Sequence, residues 1–379
     1  MPASQRSQAP EVTATLKPRG EQKVERAAAI RRQTARHAEW VGLGSLALAG
    51  VAVVALGAGW ATGPAAVVVL IVALAIVIGY IVLLLLADPE TRRQLAPYGL
   101  LKPGILWLCL FFLAPLWSLL VMSLSKKQSR FDFSPDFAWH FENYKTAFTD
   151  FGPQFQRAFL YAALATIFTI LIGYPIAYVI AFRGGRFRTL LLGLVVVPFF
   201  TSFLIRTISW QALLADQGPV VGVFDTIGLT TLLESLHIMD DGRLLNTPAA
   251  VIGGLTYNFL PFMILPIYVS LEKVDIRLVD AAKDLYSGAA RAFFKIVVPL
   301  SLPGVFAGSL LVFIPAAGDF INAEFLGGPN TTMIGNSIQD QFLNQANYPL
   351  AAAMSFVLMI IITIGVLIYT RILGTEELA

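Results

Sequence analysis

The hydrophobic residues of this chain are gathered into blocks of about 20, the length a helix needs at about 1.5 Å per residue to cross a hydrocarbon core roughly 30 Å thick. A water-soluble domain has no use for such blocks, and the composition agrees: 56% of the 379 residues are apolar and only 13% are charged, against roughly 25% charged in a soluble protein. The blocks predict eight spans, near 41–60, 65–87, 103–124, 158–182, 189–211, 249–271, 297–317 and 349–370. The first two are separated by Gly57–Pro64, a breaker inside an apolar run too long for one crossing. A β-barrel is excluded because the blocks are continuous and lack the alternation of lipid-facing and lumen-facing residues. Pro115, Pro175, Pro198, Pro261, Pro266, Pro299, Pro303 and Pro315 lie in or beside spans. Kinked helices are expected, since neighbouring helices in a bundle re-satisfy the carbonyls that proline frees.

Lys and Arg of short loops stay cytoplasmic and so set orientation. Arg92, Arg93 and Lys102, then Arg183, Arg186 and Arg188, then Lys273, Arg277, Lys283, Arg291 and Lys295 fall in alternate connections, and Arg371 follows the last span. The opposite loops carry only Arg243 in 212–248 and no base in 318–348, although 125–157 is discordant with Lys126, Lys127, Arg130, Lys145 and Arg157. Both termini are therefore expected inside. Residues 1–40 form a basic tail, disordered in its Pro-containing first half and helix-favouring from Glu21 to Trp40. They do not read as a signal peptide, because the basic stretch is long and the apolar region that follows far exceeds an h-region.

Enzymatic chemistry finds little to stand on. The single Cys109 excludes an internal disulfide, and His37, His140 and His237 are scattered without metal-ligand spacing. There is no G-x-x-x-x-G-K-[ST] to cradle ATP phosphates and no G-x-S-x-G elbow. Gly42-Leu-Gly44-Ser-Leu-Ala47 matches G-x-G-x-x-A in form only: it opens a membrane span with no strand before it, so close helix packing is its reading. The net charge of +3 resides in particular loops, and nucleic acid is not suggested as a partner.

The loop 272–298 is the only long inside loop between spans. Ile276, Leu278, Val279, Ala281, Ala282 and Leu285 give an apolar face at helical spacing, opposite Asp275, Arg277, Asp280, Lys283 and Asp284. Ser287-Gly288 breaks the pattern, and Ala289–Val298 resumes it until Pro299, so a helix, a turn and a second helix are expected. The residues alone leave two roles open for the hairpin: docking into a groove of a soluble partner, or lying on lipid headgroups.

The stretch DAAKDLYSGAARAFFKIVVPLSLPG (280–304) resembles the EAA loop of ABC-importer permeases, E-A-A, three residues, Gly, nine residues, then I-x-L-P. Asp280, Ala281 and Ala282 occupy the first places, while Ile296, Val298 and Pro299 close the pattern in register. Asp280 stands for Glu, and Tyr286 for Gly; Gly288, two residues on, is a candidate for the turn because it alone tolerates φ > 0 there. Further blocks, PFFTSFLIRTISW (198–210), GLTYNFLPFMILPIYVSLEKVD (254–275) and IPAAGDFINAEFLGGPNTTMIGNSI (314–338), resemble the B-type permease subunit of spermidine/putrescine importers, over about 100–372.

The resemblance implies an all-α polytopic membrane protein: a six-span ABC-importer permease core (103–371), two extra N-terminal transmembrane helices (41–87), a cytoplasmic linker (88–102), a cytoplasmic helical coupling hairpin (272–298) and a short cytoplasmic tail (372–379). It implies a multi-pass subunit of a prokaryotic inner or plasma membrane, embedded in the lipid bilayer. Its partners would be a second, homologous permease, two ATPase subunits and an extracytoplasmic binding protein that delivers the polyamine. Asp280, Ala281, Ala282, Leu285, Tyr286 and Gly288 would form the ATPase-coupling loop. ATP and Mg would act on the partner ATPase, with no cofactor or metal held by this chain and no catalysis here.

A polyamine carries ammonium groups on an apolar chain, so carboxylates and aromatic faces at intervals suit it. Asp319, Glu324, Trp210 and Tyr257 are the candidates for the path. Asp319 and Glu324 follow the seventh span and are expected at the outer interface or facing a wet cavity, since a carboxylate at the centre of a bilayer helix costs about 2.5–3.5 kcal/mol. Solvation in the loop, or contact with the binding protein, is the alternative. The outer loop 212–248 holds Asp216, Asp225, Glu234, Asp240 and Asp241 against Arg243, which enriches cations locally. Arg206, near the outer end of its span, reads as a snorkelling or internally paired residue.

Competing readings are the same machine with another cargo, such as thiamine, sulfate or ferric iron, and a secondary transporter. The latter should show internal repeats and paired ionisable residues within spans, and both are wanting. A purely structural scaffold would leave the EAA register unexplained.

Overall fold

A computed structural model describes residues 104–105, 107–127, 136–235, 238–275, 277–279, 281 and 288–373. The basic tail 1–40, the extra hairpin 41–87, the linker 88–102 and the residues from 374 lie outside them. The described residues divide into two units, with the boundary between Leu119 and Leu120. Of the first, what is described is a π turn, Cys109–Leu113, and the larger part of α1 (Ala114–Ser123).

In the second unit a two-residue strand pair, β1 (Ser125–Lys126) and β2 (Asp136–Phe137), runs antiparallel with Ser125 opposite Phe137. Helices follow: α2 (Glu142–Asp150), α3 (Gly152–Tyr178), α4 (Arg188–Val196), α5 (Phe203–Leu214), α6 (Pro219–Thr226) and α7 (Thr230–Ser235). Then come α8 (Pro248–Glu272), α9 (Ala289–Ala292), α10 (Val298–Ala317), α11 (Ile321–Leu326), α12 (Ile334–Leu343) and α13 (Tyr348–Leu373).

Helix is the local consequence of the apolar blocks, because lipid offers no partner for a backbone N–H or C=O and an α-helix satisfies both within itself. Among the described residues four helices are long and apolar enough to span a bilayer: Gly152–Arg183, Pro248–Glu272, Ala290–Ala317 and Tyr348–Arg371. A bent pair would make a fifth, and Phe111–Ser123 is a shorter apolar helix.

The span expected over 189–211 is a bent pair, as the kinks expected at its proline allow, and the bend is sharp. Gly185–Phe200 and Phe203–Thr226 meet at 93°. Pro198 lies in a 3-10 turn, Val197–Phe200, after which Thr201 turns extended (φ −79°, ψ 143°) and α5 starts afresh in a new direction. Proline cannot donate to the ladder, and the helix ends where that donor is lost. The other prolines behave differently: α3 runs through Pro175, α8 through Pro261 and Pro266, and α10 through Pro303 and Pro315. The stop expected before Pro299 is corrected. Helix continues from α9 through a π turn, Phe293–Val297, into α10, so Pro299 lies inside one helical run, Ala290–Ala317, just after the turn in which the bonding register is already loosened.

Helix α8 is central. The apolar window of α8 is 56% buried inside the protein, against 33% for the helix containing α3 and 28% for the one containing α10. It packs on α3 and α10 together, around Met263, Ile264, Ile267 and Leu271. Close approach on the α10 side depends on two glycines. A Cβ at Gly304 would lie 2.5 Å from the Pro266 carbonyl oxygen and the Ser270 hydroxyl, and one at Gly308 would lie 2.8 Å from Met263 Sδ. Small residues of this kind let helix backbones touch where lipid supplies no hydrophobic drive. Hydrogen bonding adds direction: the Tyr174 and Ser301 hydroxyls, on α3 and α10, lie 2.7 Å apart.

Replacing Gly304 by Ala forces carbon against a backbone carbonyl, and overpacking of that kind costs about 1–3 kcal/mol. Gly304→Ala is expected to lower the thermal midpoint of the detergent-purified chain by several degrees. Gly365→Ala on α13, where a Cβ would meet nothing within 4 Å, should leave it unchanged in the same melt.

Candidate translocation path and coupling loop

The bend after Pro198 aims α5 across α8, and the turn after α10 brings the short helix α11 against both. Where the three meet, a line of polar side chains is sealed from solvent. Asn258 on α8 donates through Nδ2 to Asn322 Oδ1 on α11 (2.9 Å) and to Thr207 Oγ1 on α5 (3.2 Å). Asn322 in turn gives Asp319 Oδ1 its backbone N–H (2.7 Å) and its side-chain amide (3.1 Å). Thr207 passes its hydroxyl hydrogen back to the Phe203 carbonyl (3.1 Å). Thr207, Asn258 and Asn322 are wholly buried and Asp319 is 8% exposed. The bonds from Asn258 to Asn322 and from Asn322 to Asp319 run in sequence toward the carboxylate, an alignment in which each bond polarises the next. One acceptor, Asn258 Oδ1, is buried with no partner.

Asp319 lies beyond the end of α10, outside the spanning segments, yet it is buried and, among the described residues, paired with no base. Burial pushes its carboxyl up to about 6 from an ordinary 3.8, against the opposing pull of the two hydrogen bonds from Asn322. Glu324, on the exposed side of α11, accepts from Asn336 Nδ2 (3.0 Å), which also donates to the Phe320 carbonyl (2.9 Å). The two acids thus share one short segment, with Asp319 facing inward and Glu324 outward.

The aromatic candidates also meet each other. Trp210 and Tyr257 stand edge to face with centroids 5.3 Å apart, and both line a cavity of about 670 Å³ with Leu164, Phe168, Ile252 and Leu260. Neither acid lines it. Trp210 is one turn beyond Thr207 on α5, and Tyr257 adjoins Asn258 on α8. The aromatic cavity and the polar line are therefore neighbouring faces of the same two helices and do not form one pocket. Arg206 is buried at the bend, its guanidinium 5.3 Å from the Phe199 centroid and 5.6 Å from that of Phe203. Of the two readings the sequence left open for Arg206, snorkelling or internal pairing, the structure shows the internal one, with aromatic faces as the contacts.

Sequence reasoning missed Thr207, Asn258 and Asn322. The available signal was an Asn within an otherwise apolar span, since polar side chains are rare at that depth and face the interior of the bundle.

Of the coupling-loop residues, Asp280, Ala282, Leu285 and Tyr286 lie outside the described residues. Ala281 and Gly288 are exposed; the Gly288 carbonyl accepts the Ala292 N–H (3.0 Å) at the start of α9, and a Cβ at Gly288 would meet nothing. At the base of the loop, the last residue of α8 is tied to the first of α4: Arg188 Nη2 lies 3.0 Å from Glu272 Oε1, with the guanidinium 4.8 Å from the Tyr268 ring centroid.

Residues 170–373 match the family model of the binding-protein-dependent transport system inner membrane component. The chain belongs to this family of ABC-importer permeases. Among curated relatives, a spermidine/putrescine transport system permease protein PotB from Haemophilus influenzae is 39% identical over 268 residues, 70% of this chain and 90% of the relative. PotB of Escherichia coli is 40% identical over 211 residues, 55% of this chain and 74% of the relative. YdcU of the same organism, an inner membrane ABC transporter permease protein, is 31% identical over 214 residues, 55% and 67% of the two chains. Among solved structures, a bacterial ABC transporter that imports the acidic polysaccharide alginate superposes with a TM-score of 0.54 at 19% identity, covering 75% of this chain and 98% of that one. The same importer with its alginate-bound periplasmic protein gives 0.54 at 17% identity, over 76% and 96%. These permeases share the fold. The chain is thus an all-α permease subunit of an ABC importer, an inner-membrane transport component.

Because the folded chain holds the Asp319 proton up to about pH 6 and the unfolded chain releases it near 3.8, this group's stabilising contribution is complete below about pH 4 and is lost as pH rises through 6. The loss is about 3 kcal/mol. Asp319→Asn keeps the acceptor for Asn322 without the charge. Its melting temperature is expected to match that of the parent at pH 4 and to exceed it by several degrees at pH 7.5, in paired melts across that range.

Proposed function

We propose that this chain is the B-type permease of a polyamine importer, forming half of the translocation path and passing spermidine or putrescine inward. The observation that carries this reading is a buried carboxylate, Asp319, that has no basic partner among the described residues and sits at the end of a polar line with an acceptor, Asn258 Oδ1, that no described donor meets. With its carboxyl pushed up only to about 6, Asp319 is ionised at neutral pH, and a buried carboxylate of this kind is the group an arriving ammonium would pair with. Trp210 and Tyr257, on the neighbouring face of α5 and α8, offer aromatic faces to the methylenes between ammonium groups. The names of the PotB relatives point to the same cargo.

In this reading a homologous permease supplies the other half of the path, two ATPase subunits carry ATP and Mg on the cytoplasmic side, and an extracytoplasmic binding protein delivers substrate. Both termini are cytoplasmic. The loop around Asp280–Gly288 takes up ATPase closure and passes it into α8 and α10, the two helices it joins, with Arg188 and Glu272 bracing its root. Coupling is mechanical and forms no covalent intermediate.

The test is reconstitution with the candidate permease, ATPase and binding protein in liposomes. Saturable, ATP-dependent uptake of labelled putrescine and spermidine, and none of thiamine, is the expected result. Movement of thiamine or iron alone would overturn the cargo, and uptake driven by an ion gradient without ATP would overturn the importer assignment. A hydrogen bond to a charged group contributes about 1.5–3 kcal/mol, so Asp319→Asn should weaken polyamine uptake by about tenfold or more at unchanged membrane abundance. Unchanged kinetics would remove Asp319 from the path. A bulky residue at the exposed Gly288, as in Gly288→Trp, should reduce ATPase co-purification, and full stoichiometry would count against docking there.

A further inference from the structure

Three aromatic rings stand together on the surface just beyond α1. Phe137, Trp139 and Phe141 are 48%, 65% and 61% exposed, with centroids 5.0 Å apart from Phe137 to Trp139 and 6.3 Å from Trp139 to Phe141. Trp139 has φ +48°, a left-handed conformation that is costly for so bulky a side chain and persists only where its surroundings impose it. The surroundings here are hydrogen bonds. Ala138 and His140 both donate their backbone N–H to the Leu124 carbonyl (3.4 and 2.8 Å), and Asn143 Nδ2 donates to the carbonyls of Ser123 and Ser125 (2.9 Å each). The Tyr144 and Ser123 hydroxyls lie 2.6 Å apart.

All these bonds converge on residues 123–125, where the apolar run 103–124 gives way to Ser125-Lys126-Lys127. The apolar run thus ends at Leu124, and the hydrogen bonds tie the segment that carries the rings to that point. Lys126, Asp136, His140, Glu142 and Lys145 are interleaved with them, so the patch has an apolar body and a polar surround. Water gives such a surface no reason to spread three rings outward. The boundary between acyl chains and headgroups does, since amphipathic aromatic residues concentrate there.

We propose that Phe137, Trp139 and Phe141 form a lipid-interface anchor, seated in the headgroup–acyl boundary of the bilayer, that fixes the depth at which α1 emerges. None of these residues belongs to the candidate path or the coupling loop, so the inference stands apart from the choice of cargo.

The test uses the full chain in bilayers containing lipids brominated either near the headgroup or near the bilayer centre. The emission of Trp139 is taken as the difference between the protein and its Trp139→Phe variant, which keeps an aromatic ring and the fold. Shallow bromine is expected to quench that difference signal roughly twofold more than deep bromine, and aqueous iodide should leave it nearly unchanged. Iodide quenching typical of a free indole, with no lipid quenching, would overturn the proposal. So would a signal shielded from iodide only after the extracytoplasmic binding protein is added, which would make the patch a protein-docking surface.

Discussion

Contact of α8 with α3 on one side and α10 on the other is the interaction on which the rest of the structure depends. A membrane interior gives apolar side chains nothing to gain by leaving lipid for one another, so the bundle must be held by packing density and hydrogen bonds. Gly304 and Gly308 allow α10 to approach until a single added carbon would collide with α8. The Tyr174–Ser301 contact closes the third side of the same trio. Only with α8 held in this way do its polar face at Asn258 and its aromatic face at Tyr257 acquire fixed directions.

The polar line from Thr207 to Asp319 uses that fixed direction. Burying three neutral polar groups and a carboxyl is costly unless each finds partners, and here the partners come from α5, α8 and α11 at once. The bend after Pro198 makes this possible: a straight helix over 189–211 would have carried Thr207 and Trp210 in another direction. Arg206, stacked on Phe199 and Phe203, occupies the inside of the same bend. Proline, stacked cation and polar line are therefore parts of one corner.

Much of this architecture is legible in the chain itself. The positions of α3, α8, α10 and α13 follow from apolar blocks, and the EAA register from the spacing of Asp280, Ala281, Ala282, Ile296 and Pro299. The bend was not legible in the same way. Pro198 looks no different in sequence from Pro261 or Pro266, yet α8 passes through its prolines while the chain breaks at Pro198. Neighbouring helices can re-satisfy a carbonyl freed by proline, and whether they do depends on what packs there. For the same reason Asp319 could be named as a candidate while its burial could not, and its partner Asn322 drew no notice.

By itself the sequence determined that this chain is helical and membrane-embedded, because in lipid the backbone must bond locally and every 20-residue apolar block states that demand on its own. It also determined the family, through residues whose spacing along one loop needs no knowledge of the fold. Tertiary structure alone decided which polar side chains meet: Asn258 is 51 residues from Thr207 and 64 from Asn322. A hydrogen bond across such a separation depends on the directions of three helices, and no pattern along the chain contains them.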